Sequence, residues 1–239
     1  MAHIVRLFVD HPLSEGQTVP LDRDHANRLF NVMRLGVGAE VRLFNGRDGE
    51  WRAKVSEAGK RGGVLAVEDQ TAPLQMPPDL WLLFAPIKKD RTDFIVEKAA
   101  EMGASRIVPI QTDYTQGDRL KQDRLQAHAV AAAEQCGGTC VPEVTSLQKL
   151  APLLATWPKE RQLMFCDEAA TGGALPRAKD GTQEPWAIVI GPEGGFSAQE
   201  RQKLSAIGHT VTLGPRILRA DTAAVAALTL WQVQLGDWR

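Results

Sequence analysis

From residue 79 onward the chain repeats one arrangement, a short unbroken apolar run followed by a stretch with helical spacing. LWLLFAP leads into KKDRTDFIVEKAAEMG, RIVPI into DRLKQDRLQAHAVAAAEQCGG, and WAIVI into SAQERQKLSAIG. A run that is apolar at every position has no wet face, so it reads as a strand covered on both sides. Such strands alternating with helices predict an open, mainly parallel α/β sheet. RQLMFC and TVTL add two strands, SLQKLAPLLATW adds a helix, and an Ala-rich helix ends the chain. Gly103 and the Gly-Gly after Cys136 are placed to stop the helices before them.

Residues 1–72 read differently. VRLFV alternates apolar and polar positions, EVRLFNGRDGEWRAKV is two strands about an Asn-Gly…Asp-Gly turn, and GKRGG turns into VLAVED. One helix interrupts, DRDHANRLFNVMRL, with Asp22 or Asp24 as its N-cap and Leu29, Val32 and Met33 recurring on one face. Short strands joined by tight turns predict a small β-barrel. The proline-rich TAPLQMPP then predicts a linker ending near Pro78. The expected organisation is a barrel over 1–72 and an α/β domain over 79–239.

Acids and bases nearly balance, 29 against 28, for a formal net charge of −1. A nucleic-acid surface on such a chain must be a local patch. Cys136, Cys140 and Cys166 are too few and too irregular for a disulfide framework, and the first two have no nearby Cys/His pair to complete a zinc site. His3, His11, His25, His128 and His209 are scattered without ligand spacing. The opening MAHIVRLFVD carries charge inside its apolar run, and nothing approaches membrane-spanning length. The expectation is a reduced, cytoplasmic protein with no metal and no membrane contact.

Two loops at strand ends carry the chemistry. AIVI runs into Gly191-Pro192-Glu193-Gly194-Gly195, and Ser197 with Glu200 forms a capping box for the helix that follows. This is neither a P-loop nor G-x-G-x-x-G. A carboxylate at a helix N-terminus would repel phosphate and suits ribose hydroxyls or a cationic ligand instead. In the second loop, TVTL ends at Leu213, Gly214-Pro215 turns the chain, and Arg216-Ile217-Leu218-Arg219 alternates guanidinium and aliphatic groups before a helix near Ala220. Apolar side chains at a strand end clamp a flat ring, and arginine holds an anion. The glycines alone would also serve a tight strand-to-helix turn, and Ile217 and Leu218 would also serve as core plugs. In an open α/β sheet, loops beyond neighbouring strand ends share a ligand pocket.

Together, IGPEGGFSAQE and LGPRILRADTA resemble the signature of the SPOUT-class RNA methyltransferases. Within that class the chain looks like the ribosomal RNA small-subunit methyltransferase E family of uracil-N3 enzymes. KKDRTDFIVEKAAEMGASRIVPI and AAEQCGGTCVPEV match that family's blocks in the same order, and the N-terminal barrel resembles its PUA-like RNA-binding domain. The likeness covers nearly the whole chain. Two positions depart from the pattern: Asp221 stands where the family has glutamate, and Gly138 where it has arginine.

The resemblance implies a C-terminal trefoil knot and a homodimer with its pocket near the interface. It implies that S-adenosylmethionine is held by Gly191, Pro192, Glu193, Gly194 and Gly195 of one loop and by Leu213, Gly214, Ile217, Leu218, Arg219 and Thr222 of the other. The implied reaction methylates N3 of a uridine in small-subunit (16S) ribosomal RNA, presented naked or within the assembled subunit. An imide nitrogen becomes nucleophilic once its proton leaves, and a guanidinium beside the uracil oxygens would stabilise the resulting charge. Arg219 is the candidate for that role, with Glu193 as proton acceptor or ligand-positioning group. Arg6, Arg28, Arg34 and Arg47 of the barrel, with Lys88 and Lys89, are the candidate RNA contacts.

Overall fold

The structure is a computed structural model that describes residues 4–59, 61–116, 120–168, 173 and 184–238. His3, position 60 of the GKRGG turn, and positions 118 and 119 at the expected start of a helix lie outside these residues. Contacts divide the chain into two compact units, Met1–Met76 with Ala133–Cys140, and Pro77–Ala132 with Val141–Arg239.

The first unit is one five-stranded sheet of β1 (Val5–Phe8), β2 (Thr18–Leu21), β3 (Glu40–Phe44), β4 (Glu50–Ala58) and β5 (Gly63–Ala72), in the order β1-β3-β4-β5-β2. β1 pairs parallel with β3, and the remaining pairs are antiparallel. Leu7, Val19, Leu29, Leu43, Val55 and Leu65 fill its core. The expected hairpin is held by Asn45, whose side-chain oxygen accepts from the N–H groups of Arg47 (3.0 Å) and Asp48 (2.9 Å). Gly46 and Gly49 take the positive φ values of 74° and 80° that close this turn.

The helix of this unit departs from its expected period. Asp22 is the N-cap, accepting from the N–H of His25, and α1 spans only Arg23–Ala26. The chain continues as a π-helical turn over Asn27–Val32, in which the N–H of Met33 bonds the carbonyl of Arg28 at 2.9 Å. The wider turn breaks the 3.6-residue stripe. Leu29 stays buried, while Val32 and Met33 point to solvent at 69% and 40% exposure. The apolar face read from Leu29, Val32 and Met33 is therefore corrected to Leu29 with half-buried Phe30 and Leu35.

The second unit holds a sheet in the order β12-β10-β11-β6-β7-β8, every pair parallel. Its strands are β6 (Leu80–Phe84), β7 (Arg106–Gln111), β8 (Glu143–Val144), β10 (Gln162–Cys166), β11 (Trp186–Ile190) and β12 (His209–Val211), with β9 (Gln148–Lys149) pairing β7 off this path. The helices are α2 (Lys89–Glu101), α3 (Gln122–Cys136), α4 (Leu150–Ala155), α5 (Ala198–Ile207) and α6 (Ala220–Gln234). Alternate strand residues enter two cores, as strands covered on both faces require. Leu80, Leu82, Phe84, Met164 and Ile188 pack with Val96 of α2, Ala129 of α3 and Leu228 of α6. Leu83, Val108, Leu163, Phe165 and Val189 pack with Leu150 of α4 and Leu204 of α5. The last strand is shorter than TVTL suggested and ends at Val211, which releases residues 212–219 as loop.

Candidate functional site

Three loops at the carboxyl ends of adjacent strands enclose a cavity of about 410 Å3 in the second unit. β11 contributes Ile190, Gly191, Pro192, Glu193, Gly195 and Phe196. After β12 come residues 212–219, followed by Ala220 and Ala223 of α6. β10, which lies between these two strands in the sheet, adds Cys166, Asp167 and Glu168. That third wall was not foreseen, because it bears no glycine signature. Its signal was an acid pair at the end of a buried strand.

The loop after β11 is braced by the helix that follows it. The capping box of α5 forms as expected: Glu200 accepts from the N–H of Ser197 with one carboxylate oxygen (2.9 Å), and its own N–H reaches Ser197 Oγ. The other oxygen of Glu200 accepts from the N–H of Asp113 at 2.9 Å, tying the loop after β7 to the start of α5. Arg201, one residue along, donates to the carbonyl of Phe196 at 3.2 Å and pairs with Asp167. The glycine loop is thus fastened on both sides by side chains of a single helical turn.

The glycines have distinct duties. Gly195 has φ +68°, the left-handed region. A Cβ on Gly191 would come within 2.7 Å of the Phe196 ring, which packs edge-on against Phe165. Gly194 does not line the cavity; a Cβ there would meet Tyr114 Cβ at 3.2 Å.

The remaining expected residues sort clearly. Glu193, Leu213, Gly214, Ile217, Leu218 and Arg219 all line the cavity, whereas Thr222 does not. Ile217 is 81% exposed and so is no core plug. Arg219 is exposed at the N-cap position of α6, and its side chain has neither hydrogen bond nor ion pair among the described residues. Asp221, in the first turn of α6, accepts from the N–H of Thr222 with one carboxylate oxygen (2.9 Å) and pairs with Arg91 of α2 through the other (3.1 Å). Burial pushes the Cys166 thiol up to about 12, which disfavours its thiolate form.

Of the candidate RNA contacts, Arg28, Arg34, Arg47, Lys88 and Lys89 keep exposed or half-exposed side chains. Arg28 pairs with Glu134 at 2.5 Å and Arg47 with Asp10 at 3.1 Å. Arg6 is corrected. Its guanidinium donates to Glu50 (2.6 Å) and to the carbonyls of Ala133 (2.7 Å), Glu134 (2.9 Å) and Gly138 (2.8 Å), and it stacks on Phe44. The carbonyls of Ala133 and Glu134 are ones that the end of a helix leaves without partners, so Arg6 caps α3, and four of its five N–H groups are committed inside the first unit. Among the described residues no cluster of His, Cys, Asp and Glu could hold a metal ion, and no helix is long and apolar enough to cross a membrane.

A parallel sheet with a ligand-sized cavity beyond its strand ends is the framework of a ligand-binding α/β enzyme domain. The RNA methyltransferase domain family matches residues 75–232, and the RNA methyltransferase PUA domain matches residues 21–68. The chain belongs to the RNA methyltransferase family.

Named relatives agree along its length. It is 29% identical to the ribosomal RNA small subunit methyltransferase E of Rickettsia conorii, over 96% of this chain and 95% of that protein. The protein of the same name from Buchnera aphidicola (Schizaphis graminum) is 25% identical over 98% of each. Among solved structures, the ribosomal RNA small subunit methyltransferase E of Neisseria gonorrhoeae, bound to S-adenosyl methionine, superposes with a TM-score of 0.87 at 27% identity, covering 99% of this chain and 100% of that one. A methyltransferase from Legionella pneumophila, also in complex with SAM, gives 0.87 at 25% identity, covering 97% and 98%.

Proposed function

We propose that this chain transfers the methyl group of S-adenosylmethionine to N3 of a uridine in small-subunit ribosomal RNA. The observation that carries the reading is the cavity itself, which joins aliphatic walls (Ile190, Leu213, Leu218, Ala223) to the carboxylates of Glu168 and Glu193 and the guanidinium of Arg219, which has no partner among the described residues. Aliphatic walls suit an adenine ring, and carboxylates suit ribose hydroxyls and a sulfonium, so the residues present fit this donor. Its likeness to two SAM-bound enzymes adds support.

When bound, S-adenosylmethionine supplies an electrophilic methyl group. The chain's task is to orient the acceptor and make its nitrogen nucleophilic. Arg219 stabilises the charge that spreads to the uracil oxygens as the N3 proton leaves. Glu193, exposed in the glycine loop, takes that proton or positions the donor. The Glu193→Gln variant separates these roles: weakened donor affinity assigns positioning, and slower turnover at unchanged affinity assigns proton acceptance.

The proposal extends to a trefoil knot, supported by the convergence of three strand-end loops on one cavity from which α6 departs. It extends also to a homodimer, supported by exposed Val233 and by half-buried Val225 and Leu230 on α6. Residues 1–72 are proposed as the RNA-docking module and 79–239 as the catalytic one, with Arg28, Arg34, Arg47, Lys88 and Lys89 on phosphates. The test incubates the protein with isotopically labelled S-adenosylmethionine and small-subunit particles lacking the modification, then maps the label by mass spectrometry. Label on N3 of one uridine is expected. Donor binding by calorimetry without label in RNA would refute the assignment.

A further inference from the structure

Tyr114 is the one tyrosine of the chain and stands 52% exposed just beyond the carboxyl end of β7. A large aromatic side chain left in water at a strand end gains little from burial, yet the turn that carries this one is held firmly. The N–H of Thr112 donates to Thr115 Oγ1 at 2.9 Å, the two hydroxyls are 2.8 Å apart, and the N–H of Thr115 returns to the carbonyl of Thr112 at 3.2 Å. The neighbouring Asp113 is fastened by its N–H to buried Glu200, the residue that also caps α5. Tyr114 therefore sits on a turn locked to the frame that shapes the glycine loop.

Its position is equally specific. A methyl group on Gly194 would lie 3.2 Å from Tyr114 Cβ and 3.7 Å from Cγ and Cδ2. Gly194 separates Glu193 from Gly195, both of which line the cavity. The aromatic group thus lies against Gly194 of the loop that walls the cavity, while neither Tyr114 nor Gly194 lines the cavity itself. Enzymes that act on a base in RNA draw it out of its stack and hold it against an aromatic face.

We propose that Tyr114 is a substrate-binding residue on which a nucleobase of the RNA stacks as the target uridine enters the cavity. The inference rests on the methyltransferase reading above. Stacking uses the π-face of the ring, so the hydroxyl is dispensable and an aliphatic group of similar size is a poor substitute.

The test compares Tyr114→Ala, Tyr114→Phe and Tyr114→Leu in the full-length protein, with small-subunit particles lacking the modification as substrate. Donor affinity is measured separately by calorimetry. Alanine should lower kcat/KM for the particles by roughly 5- to 150-fold, the range for loss of one base–aromatic stack. Donor affinity should not change, phenylalanine should behave as wild type, and leucine should resemble alanine. If leucine rescues as well as phenylalanine, or if alanine weakens donor binding in step with activity, Tyr114 merely packs the loop and the proposal is overturned. A wild-type protein that binds the donor yet methylates no particle overturns the methyltransferase reading instead, and this inference with it.

Discussion

Glu200 and Asp113, 87 residues apart in sequence, meet through a single hydrogen bond of 2.9 Å from the Asp113 N–H to a carboxylate oxygen of Glu200. Glu200 is only 8% exposed, and its second oxygen is used by the capping box of α5. One buried side chain therefore sets both the start of the helix behind the glycine loop and the turn that carries Tyr114. Glu200→Ala should destabilise the protein by about 1–3 kcal/mol, from the lost cap and two N–H groups left unsatisfied. Glu200→Gln should fall between, since its amide oxygen serves one N–H while its NH2 faces the other. Thermal unfolding of the three proteins checks the order, and equal stability of alanine and wild type would discount the tie.

The glycine loop gives a second contrast. Gly195→Ala places a side chain at φ +68°, where a Cβ costs roughly 1–2 kcal/mol, and sets it 3.3 Å from Arg201 Nη2. Gly194→Ala meets no such backbone demand and points at Tyr114 instead of the cavity. Calorimetry should show a clear loss of donor affinity for the first variant and a small one for the second. The reverse order would show that Gly194, not Gly195, shapes the donor site.

Arg219 occupies a place that stability alone does not favour, since a cation at a helix N-terminus opposes the helix dipole. With no partner among the described residues, its charge faces the cavity. Arg219→Ala should lower kcat by about a hundredfold, the loss typical of one transition-state donor, with donor affinity nearly unchanged. Lysine should rescue only in part, because it lacks the planar fork. Loss of donor binding at unchanged turnover would move Arg219 into the donor site.

Acid should act on the first unit through Asp48. Hydrogen bonds from Asn45 Nδ2 (2.6 Å) and from the N–H of Leu13 (2.9 Å) hold its carboxyl below the usual range. A folded value below the unfolded one adds stability that is fully present above the unfolded pKa, near 3.9, and lost as pH falls through the folded value. Wild type should lose this increment below about pH 4, and Asp48→Ala should lack it at every pH. Parallel pH profiles of unfolding for the two proteins would exclude the contribution.

Much of this was legible in the chain alone, for a physical reason. Runs such as LWLLF and WAIVI have no polar face, so only a sheet buried on both sides accommodates them. Asn45-Gly46 and Gly49 announce a hairpin because few other residues adopt its backbone, and Ser197 with Glu200 announces a helix start because the two close on each other locally. These are short-range constraints, and local chemistry determines them.

Tertiary structure alone decided what depends on neighbours distant in sequence. Arg6 looked like any surface cation until the end of α3 was laid against it, where bare carbonyls claimed its donors. The wall formed by Asp167 and Glu168 exists because β10 lies between β11 and β12, an order that no local pattern encodes. Val32 and Met33 turned outward because one π-helical turn rotated them off the stripe that an α-helix would have kept. Local sequence chose the elements and their turns, while the partners of each charged side chain followed from strand order and packing, which sum many weak contacts over the whole chain.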